Sequence, residues 1–496
     1  MRINNKIYNY NINEIICGLR NSKFYNMISN KFLWILFANL LIVILFKEFS
    51  RAFENDEFEA VHSAWKILHG EKIYVDFFQH HHPFLYYILI PILGVLGEST
   101  ASIIAMRIAI FLMLLLIFVV TYFLSVKLFN RDTGIISLIL LSTTMIFVDK
   151  AIEIRPDVPQ TLCGLVSLFF LFTYFENKFW NDLALSSFFL GLSFLFLQKS
   201  IFLIFLIGIL LIINVHQKRN SYRDFFFYFT VLFFTNFPYY LYLFYDDSLS
   251  SYFLFNWTLN AKFITQVSPL KLLLESLGYA LRTNLLIWVF YFWGLLTYMK
   301  SFKQKQFAFL SLGLLVSILF VRAPYKQYFM MLIPLVASIS AFTIHSILRR
   351  SKSKVFLILV LSASLFLFFS FQKLHTNYNQ LKKISYVLSI TTPEDLVYDG
   401  NIDFNIFRKD INFFWFSLNP KWGGLATYRT INSYEYNIYH LIDTFKPQVI
   451  SDYHIDNLKD NRIINHYVPS QKASDLYIRE VNSDNSVHRE EARVEG

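Results

Sequence analysis

The chain has 496 residues, of which 55% are hydrophobic and 19% aromatic but only 16% charged, with a formal net charge of +10. An average soluble protein carries about 25% charged residues, and the mean hydropathy of this chain is +0.42. This composition excludes a disordered, collagenous or disulfide-rich chain and argues against a soluble enzyme. Two cysteines, Cys17 and Cys163, are too few for a disulfide framework. We therefore expect an all-α polytopic membrane protein.

The first apolar segment follows a polar N-terminal tail, 1–31. No small-residue cleavage site comes after it, so we interpret it as a retained first span rather than a signal peptide. Since a membrane helix needs about 20 apolar residues, with a range of about 17–25, the sequence predicts eleven spans within a transmembrane domain, 32–371. They are 32–47, 101–124, 133–148, 159–175, 183–198, 200–214, 225–245, 281–299, 306–321, 328–345 and 355–371. A further apolar run, Pro83–Leu96, is short and begins with proline, which is typical of an interfacial or re-entrant segment.

The basic residues predict which loops face the cytoplasm. If Pro83–Leu96 does not span, the loops on the side of the N-terminal tail hold 13 Lys and Arg in 40 residues. The opposite loops 149–158, 199, 246–280 and 322–327 hold 7 in 52. The positive-inside rule then places the N-terminus in the cytoplasm. The net charge of +10 is thus mostly a topology signal, and no nucleic-acid partner is needed to explain it.

The first extracytoplasmic loop, 48–100, is predicted to carry chemistry. It contains Asp56 and Glu57, then an amphipathic stretch at 57–69 that favours a helix lying on the bilayer or on the helix bundle. Asp76 and the adjacent histidines His80, His81 and His82 follow. The alternative interpretation is a solvated acidic loop without a catalytic role.

The second extracytoplasmic loop, Asp149–Asp157, has five charged residues in nine. Charges at a bilayer edge are costly unless they are paired or hydrated. Arg155-Pro156-Asp157 is the more specific part, because proline favours the start of a helix and would hold Asp157 in the first turn, where the dipole stabilises an anion. The alternative is a charge cluster that reaches the interface without a further role.

Basic residues also lie on the side that should be poor in them. Lys199 separates two spans, and Arg322 and Lys326 belong to a short hairpin. An anionic ligand at the outer leaflet would explain all three, and ordinary snorkelling to the interface is the alternative.

The sequence after the last span, 372–482, loses its apolar runs and predicts a small extracytoplasmic α/β domain. Leu396–Tyr398 and Pro447–Ile450 resemble short strands, with a helix at 434–446 between them. The charged end, 483–496, is predicted to be disordered.

Taken in order, Asp56-Glu57, the run Asp76–Tyr87 and Arg155-Pro156-Asp157 make the chain resemble the GT-C membrane glycosyltransferases. The resemblance is to the branch of protein O-mannosyltransferases and lipid A aminoarabinose transferases, which is glycosyltransferase family 39-like. It covers about 30–345 and is strongest over 53–165. Many relatives have a different sequence at Gln79–Pro83, which leaves the role of the histidines open.

The resemblance implies an inverting transfer of a sugar, a hexose or a pentose, from a polyprenyl phosphate to an envelope acceptor at the outer face of the cytoplasmic (inner) membrane. In that family the first outer loop carries the catalytic carboxylate, which corresponds here to Asp56. A carboxylate can accept the proton of the acceptor hydroxyl, and the phosphate leaving group needs cations. The expected catalytic residues are Asp56, Glu57 and Asp157, and the expected substrate-binding residues are Asp76, His80, His81, Arg155, Lys199, Arg322 and Lys326.

No cofactor is required by this chemistry, although His80, His81 and Asp76 could bind a divalent cation instead of positioning the sugar. Three adjacent histidines cannot all point into one site. The main alternative function is a transporter or flippase of a lipid-linked sugar, which would not need an acidic loop of this length. A third is a subunit that only anchors other envelope enzymes.

Overall fold

The structure is a computed structural model that describes residues 23–348, 351–372, 375–455 and 466–480. The helices of these residues are α1 (Lys23–Ser50), α2 (Asn55–Leu68), α3 (Phe84–Leu96), α4 (Thr100–Leu128), α5 (Arg131–Ser142), α6 (Met145–Ala151), α7 (Asp157–Asn177), α8 (Trp180–Phe196), α9 (Ile201–His216), α10 (Tyr222–Tyr245), α11 (Leu249–Phe253), α12 (Asn260–Lys262), α13 (Pro269–Thr297), α14 (Phe302–Ser317), α15 (Ile333–Leu348), α16 (Lys352–Gln372), α17 (Tyr378–Ile390), α18 (Gly424–Ile431) and α19 (Ile438–Phe445). The strands are β1 (Leu396–Tyr398), β2 (Lys409–Asp410), β3 (Val449–Ser451), β4 (Tyr467–Pro469) and β5 (Leu476–Arg479).

The apolar helices agree with a protein that crosses the membrane several times. Six helices of the described residues are long and apolar enough to span a bilayer, and a bent pair would make seven. The predicted polytopic helical class is therefore confirmed, whereas the count of eleven spans is not. The run Pro83–Leu96 forms α3, which at 13 residues is shorter than a span requires.

The predicted span 133–148 is not one straight helix. It consists of α5 and α6, which meet at Thr143–Thr144 at an angle of 72°. Asn284 of α13 holds the break, because its amide donates to the carbonyl of Thr143 at 2.8 Å and its oxygen accepts from the N–H of Met145 at 2.9 Å. A side chain from a distant helix thus satisfies the backbone groups that the break exposes.

The predicted loop 246–280 also needs correction, because α13 already begins at Pro269. Ser268 caps this helix by accepting from the N–H of Lys271 at 3.3 Å, and proline suits the first helical position. Polar residues interrupt the apolar pattern in the first turns of α13, so a search for apolar spans does not include these turns.

Helix α2 is enclosed rather than lying on the bilayer surface. All ten residues from Glu57 to Lys66 are buried, including the polar side chains of Glu59, His62 and Ser63. The helix contacts the bundle, which is one of the two predicted positions, and its polar side chain His62 contacts Ile406 and Asp410 of the C-terminal part of the chain.

The C-terminal part forms a small mixed sheet, as the sequence predicts. Its strand order is β2-β1-β3-β5-β4, with β1 parallel to β2 and β3, and β5 antiparallel to β3 and β4. The predicted strand 396–398 is β1, and 447–450 is shifted by one or two residues to β3. The predicted helix 434–446 is shorter and forms α19. The predicted disordered end, 483–496, lies outside the described residues, as does most of the N-terminal tail.

Buried polar contacts join this sheet to α2. Asp410 of β2 lies 2.8 Å from Nε2 of His62 and 2.9 Å from Nζ of Lys66. The indole N–H of Trp415 donates to the carbonyl of Phe78 at 2.9 Å. The C-terminal part therefore packs against the segment between α1 and α4, which carries Asp56, Glu57, Asp76, His80 and His81.

Candidate active site

Asp56 lies in the first turn of α2 with 49% of its side chain exposed. Its carboxylate accepts a hydrogen bond from the guanidinium of Arg155, a residue of the loop between α6 and α7. Nε of Arg155 also donates to Oδ2 of Asp157 at 3.2 Å. One guanidinium, itself only 4% exposed, thus joins the two aspartates that the sequence predicts to share a site.

Glu57, the neighbour of Asp56, is fully buried. Its carboxylate accepts from Nε and Nη2 of Arg107 at 2.9 and 2.7 Å. The same carboxylate accepts from the backbone N–H of Glu54 at 3.0 Å, which caps the start of α2. Arg107 lies inside the apolar helix α4, so this ion pair fixes the beginning of α2 to the bundle. Glu57 therefore acts on the position of Asp56 rather than lying beside it in the accessible site.

Glu153 forms ion pairs with three basic side chains. Its buried carboxylate lies 3.1 Å from Nη1 of Arg51 and 2.9 Å from Nζ of Lys150. It also lies 3.4 Å from Nη1 of Arg155. A snorkelling charge cluster does not fit these side chains, because Glu153 and Arg155 are buried and paired within the protein.

Asp157 is the first residue of α7 and follows Pro156, so the predicted position in the first turn is confirmed. Oδ1 of Asp157 accepts from Nζ of Lys199 at 2.9 Å. This ammonium lies 3.8 Å from the ring centroid of Tyr328, a distance typical of a cation–π contact. Lys199 is in the short turn between α8 and α9, and Asp157 thus joins it to Arg155.

Lys326 and Arg322, the other predicted phosphate ligands, occupy different places. The ammonium of Lys326 lies 4.0 Å from the ring centroid of Tyr279, whose hydroxyl donates to Asp149 at 2.6 Å. Arg322 is more exposed to solvent than Lys326, and its Nε donates to the carbonyl of Phe263 at 3.3 Å. Lys326 therefore borders the charged residues of α6, and Arg322 lies at the loop after α12.

Asp76 forms a hydrogen bond within its own loop. Its exposed carboxylate accepts from the backbone N–H of Lys72 at 2.7 Å. This bond closes a turn of five residues, and the predicted contact of Asp76 with a substrate remains without structural support.

The three histidines divide into a pair and a single residue. His82 has both ring nitrogens engaged, with Nδ1 at 2.6 Å from the carbonyl of Phe194 and Nε2 at 2.9 Å from the hydroxyl of Tyr252. His80 and His81 instead lie side by side, with ring centroids 4.1 Å apart. Together with Glu59 of α2 they form a group that could hold a metal ion.

Burial and the charged neighbours together set the protonation of the site. Desolvation alone would raise the pKa of Asp56, but the Arg155 guanidinium outweighs it and holds that pKa below its usual range. For Glu59, burial and the nearby Asp56 carboxylate outweigh Gln79 and Arg155 and raise its pKa to about 8. Burial lowers the pKa of His80 to about 4. At neutral pH, Asp56 is therefore an ionised carboxylate and His80 a neutral imidazole.

Sequence reasoning missed several residues that shape the site, notably Arg51, Arg107 and Tyr328. Arg107 had a usable signal, because an arginine inside an apolar span is costly and calls for a partner. Tyr328 had none, since aromatic residues are frequent throughout this chain.

Comparison with known proteins places these residues in a wider context. Residues 80–242 match the family model described as dolichyl-phosphate-mannose-protein mannosyltransferase. The matched range includes the histidines, Arg155, Asp157 and Lys199, and it begins after Asp56. No match to the chain was found among curated proteins.

Solved structures show the same fold at low sequence identity. ArnT from Cupriavidus metallidurans bound to undecaprenyl phosphate is 12% identical, with a TM-score of 0.67 over 90% of this chain and 98% of that one. The oligosaccharyltransferase AglB from Archaeoglobus fulgidus, in complex with an inhibitory peptide and a dolichol-phosphate, is 9% identical, with a TM-score of 0.57 over 93% of this chain and 76% of that one. The chain therefore has the GT-C fold, and its predicted resemblance to these membrane glycosyltransferases is confirmed.

Proposed function

We propose that the protein is a glycosyltransferase that moves a hexose or a pentose from a polyprenyl phosphate to an envelope acceptor, which is a glycolipid, a glycan or a protein. The observation that carries this proposal is an accessible, ionised Asp56 joined through Arg155 to Asp157 and Lys199. A base for an acceptor and cations for a phosphate thus lie next to each other. The undecaprenyl phosphate and dolichol-phosphate of the similar structures support a lipid phosphate as the carrier.

Asp56 would accept the proton of the acceptor hydroxyl while the oxygen of that hydroxyl attacks the anomeric carbon. The bond between that carbon and the phosphate oxygen breaks, and the lipid phosphate leaves with the electron pair. Because a phosphate is already a stable anion, the step needs no strong general acid. A single displacement of this kind inverts the anomeric configuration.

Arg155 and Lys199 would stabilise the charge that develops on the leaving phosphate. Both cations are held in place by Asp157, with bonds of 3.2 and 2.9 Å, so little reorganisation is needed when the donor binds. A phosphate that takes N–H groups of Arg155 weakens the bond of that guanidinium to Asp56. Binding of the donor would thereby make Asp56 a stronger base, because Arg155 is what holds its pKa low.

The remaining predicted residues take supporting roles in this proposal. Lys326 borders the site near Asp149 and adds positive charge, while His80 and His81 lie beside Asp56 and contact the transferred sugar. Glu57 positions the start of α2 through Arg107.

The proposed orientation puts the N-terminus in the cytoplasm, and the segment between α1 and α4 and the C-terminal sheet outside the inner membrane. The excess of Lys and Arg in one set of loops supports it. In a chain whose native cysteines are replaced, a membrane-impermeant thiol reagent should label Lys421→Cys and Ser483→Cys in intact cells. It should leave Ser353→Cys unlabelled. Labelling of Ser353→Cys from outside would refute this orientation.

The function is tested by mass spectrometry of envelope glycans, glycolipids and proteins from cells with and without the gene. Loss of a pentose or hexose from one acceptor, restored by the native chain and not by Asp56→Asn, is the expected result. Purified protein in vesicles should transfer the sugar from a synthetic polyprenyl-phosphate donor. Movement of the donor across the vesicle membrane without transfer would instead identify a flippase and refute the proposal.

A further inference from the structure

Glu59, His80 and His81 converge on one point next to Asp56. Each offers one ligand atom, and these atoms all lie within 4.8 Å of one another. Glu59 belongs to the second turn of α2, three residues after Asp56, so both carboxylates share a face of the helix. The histidines come from the loop before α3.

The fold fixes the loop that carries the two histidines. The side-chain oxygen of the buried Gln79 accepts from the backbone N–H groups of His80 and His81 at 2.7 and 3.2 Å. Its amide donates to Oγ of Ser63 on α2 at 3.0 Å. The hydroxyl of Tyr74 donates to the carbonyl of His81 at 2.7 Å. The loop is therefore attached to the same helix that provides Glu59, and the two imidazoles are arranged before any ligand arrives.

Each of the three residues has one buried side-chain atom without a hydrogen-bond partner within the part of the chain that the structure describes. The Glu59 side chain is 4% exposed, and its Oε1 accepts no hydrogen bond. Nδ1 of His80 and Nδ1 of His81 are also buried without a partner. A buried polar atom left unsatisfied costs about 1–3 kcal/mol, so one such atom on each of three neighbouring residues is a costly arrangement that a cation bound by this group would stabilise. His82, whose ring nitrogens both have partners, does not belong to the group.

We propose that Glu59, His80 and His81 bind a divalent transition metal ion, with Zn²⁺ as the best match. Two imidazole nitrogens and one carboxylate oxygen form a ligand set that zinc accepts, while Mg²⁺ and Ca²⁺ prefer oxygen ligands. Three protein ligands leave a fourth position in a tetrahedral site for water or for a hydroxyl of a bound molecule. The site shares His80 and His81 with the proposed sugar contact, but binding of the ion is measured without any transfer, so the two proposals can fail separately.

Aromatic rings cover the site and limit competition from water. His80 stacks on Phe78 with ring centroids 5.7 Å apart and lies 5.7 Å from the ring of Phe416, which belongs to the C-terminal part of the chain. Phe263 stacks on the same imidazole at 6.1 Å. The apolar surroundings strengthen the attraction between the ion and the carboxylate of Glu59.

The proposal is tested with the full chain, purified without a polyhistidine tag, freed of metal with a chelator and titrated with Co²⁺. One Co²⁺ per chain with the visible absorption of a four-coordinate ion, displaced by Zn²⁺, is the expected result. Glu59→Gln, His80→Asn and His81→Asn should each weaken Co²⁺ binding by more than the about 10–100-fold lost when only a group supporting a ligand is removed. The matched control His440→Asn, which changes an exposed histidine of α19, should bind as the native chain does.

A second measurement uses the native chain and does not depend on any variant folding. Diethyl pyrocarbonate modifies accessible imidazoles, and mass spectrometry locates each modified histidine. Zn²⁺ should protect His80 and His81 from modification and leave His440 as reactive as before. The proposal is overturned if the native chain binds no Co²⁺, if the three variants keep the same affinity and spectrum, or if Zn²⁺ protects neither histidine.

Discussion

Arg107 and Glu57 form an ion pair in which both side chains are completely excluded from solvent, with two hydrogen bonds of 2.9 and 2.7 Å. The pair connects an apolar helix to the turn that carries Asp56. Nη1 of Arg107 also donates to the carbonyls of Glu48 and Arg51 at 2.8 Å each, so this guanidinium holds the end of α1 as well. The accessible carboxylate of the site is thus positioned by a neighbour that is itself inaccessible.

Glu57→Gln should destabilise the protein strongly, because it leaves the Arg107 charge buried with only polar partners. Removing one partner of a buried ion pair costs about 3–5 kcal/mol. We expect a lower melting temperature in detergent and a loss of turnover that follows the loss of folded protein. Glu394→Gln is the control, since Glu394 is 82% exposed in its ion pair with Lys409. A Glu57→Gln protein as stable as the control would show that the pair does not hold α2.

The sequence predicts the local parts of the site and misses the parts that depend on packing. The position of Asp157 in the first turn of a helix can be predicted from Arg155-Pro156-Asp157 alone, because the proline and the helix start lie within three residues. The residues of the pair Glu57–Arg107 are 50 positions apart, and the sequence around either residue does not indicate which residue is its partner. The break between α5 and α6 is decided by Asn284, a residue of α13. Periodicity finds apolar segments, but it cannot tell that one of them bends.

Asn284→Leu should loosen this break. The substitution leaves the carbonyl of Thr143 and the N–H of Met145 without their side-chain partner. An unsatisfied buried group costs about 1–3 kcal/mol, so we expect a lower melting temperature and reduced transfer, because α6 carries Lys150 toward the site. Asn39→Leu, which changes an exposed hydrogen bond within α1, should be nearly silent. Equal melting temperatures for both variants would contradict the role of Asn284.

Asp410→Asn should weaken the attachment of the C-terminal sheet to α2. The Asp410 carboxylate is 8% exposed and pairs with His62 and Lys66 of that helix, so its loss leaves the Lys66 ammonium with one anionic partner, Glu71. Hydrogen–deuterium exchange should become faster in peptides that cover α2 and β2. Lys409→Gln breaks only an exposed pair and should leave exchange in α2 unchanged. Unchanged exchange in α2 of the Asp410→Asn protein would refute this coupling.

Lys199→Met should weaken binding of a polyprenyl phosphate. A hydrogen bond to a charged group contributes about 1.5–3 kcal/mol, which corresponds to an about 10–150-fold lower affinity. Lys262→Met is the matched control, because Lys262 is exposed and belongs to the short helix α12. Binding is measured by titration of the lipid phosphate in detergent. An affinity equal to that of the control would remove Lys199 from the phosphate site.

Asp56→Asn distinguishes a base from a ligand. The carboxylate is needed to accept a proton as the new bond forms, so its loss should lower the rate far more than the affinity for the donor. We expect turnover to fall by about 10²–10⁴-fold, the usual contribution of a general base, while binding of the lipid phosphate changes little. The substitution preserves shape and leaves the amide within reach of Arg155, so the melting temperature should remain close to that of the native chain. Asp443→Asn, at an exposed carboxylate of α19, should transfer the sugar at the native rate. Normal turnover by the Asp56→Asn protein would exclude Asp56 as the base, whereas an equal loss of donor binding would make it a ligand of the substrate.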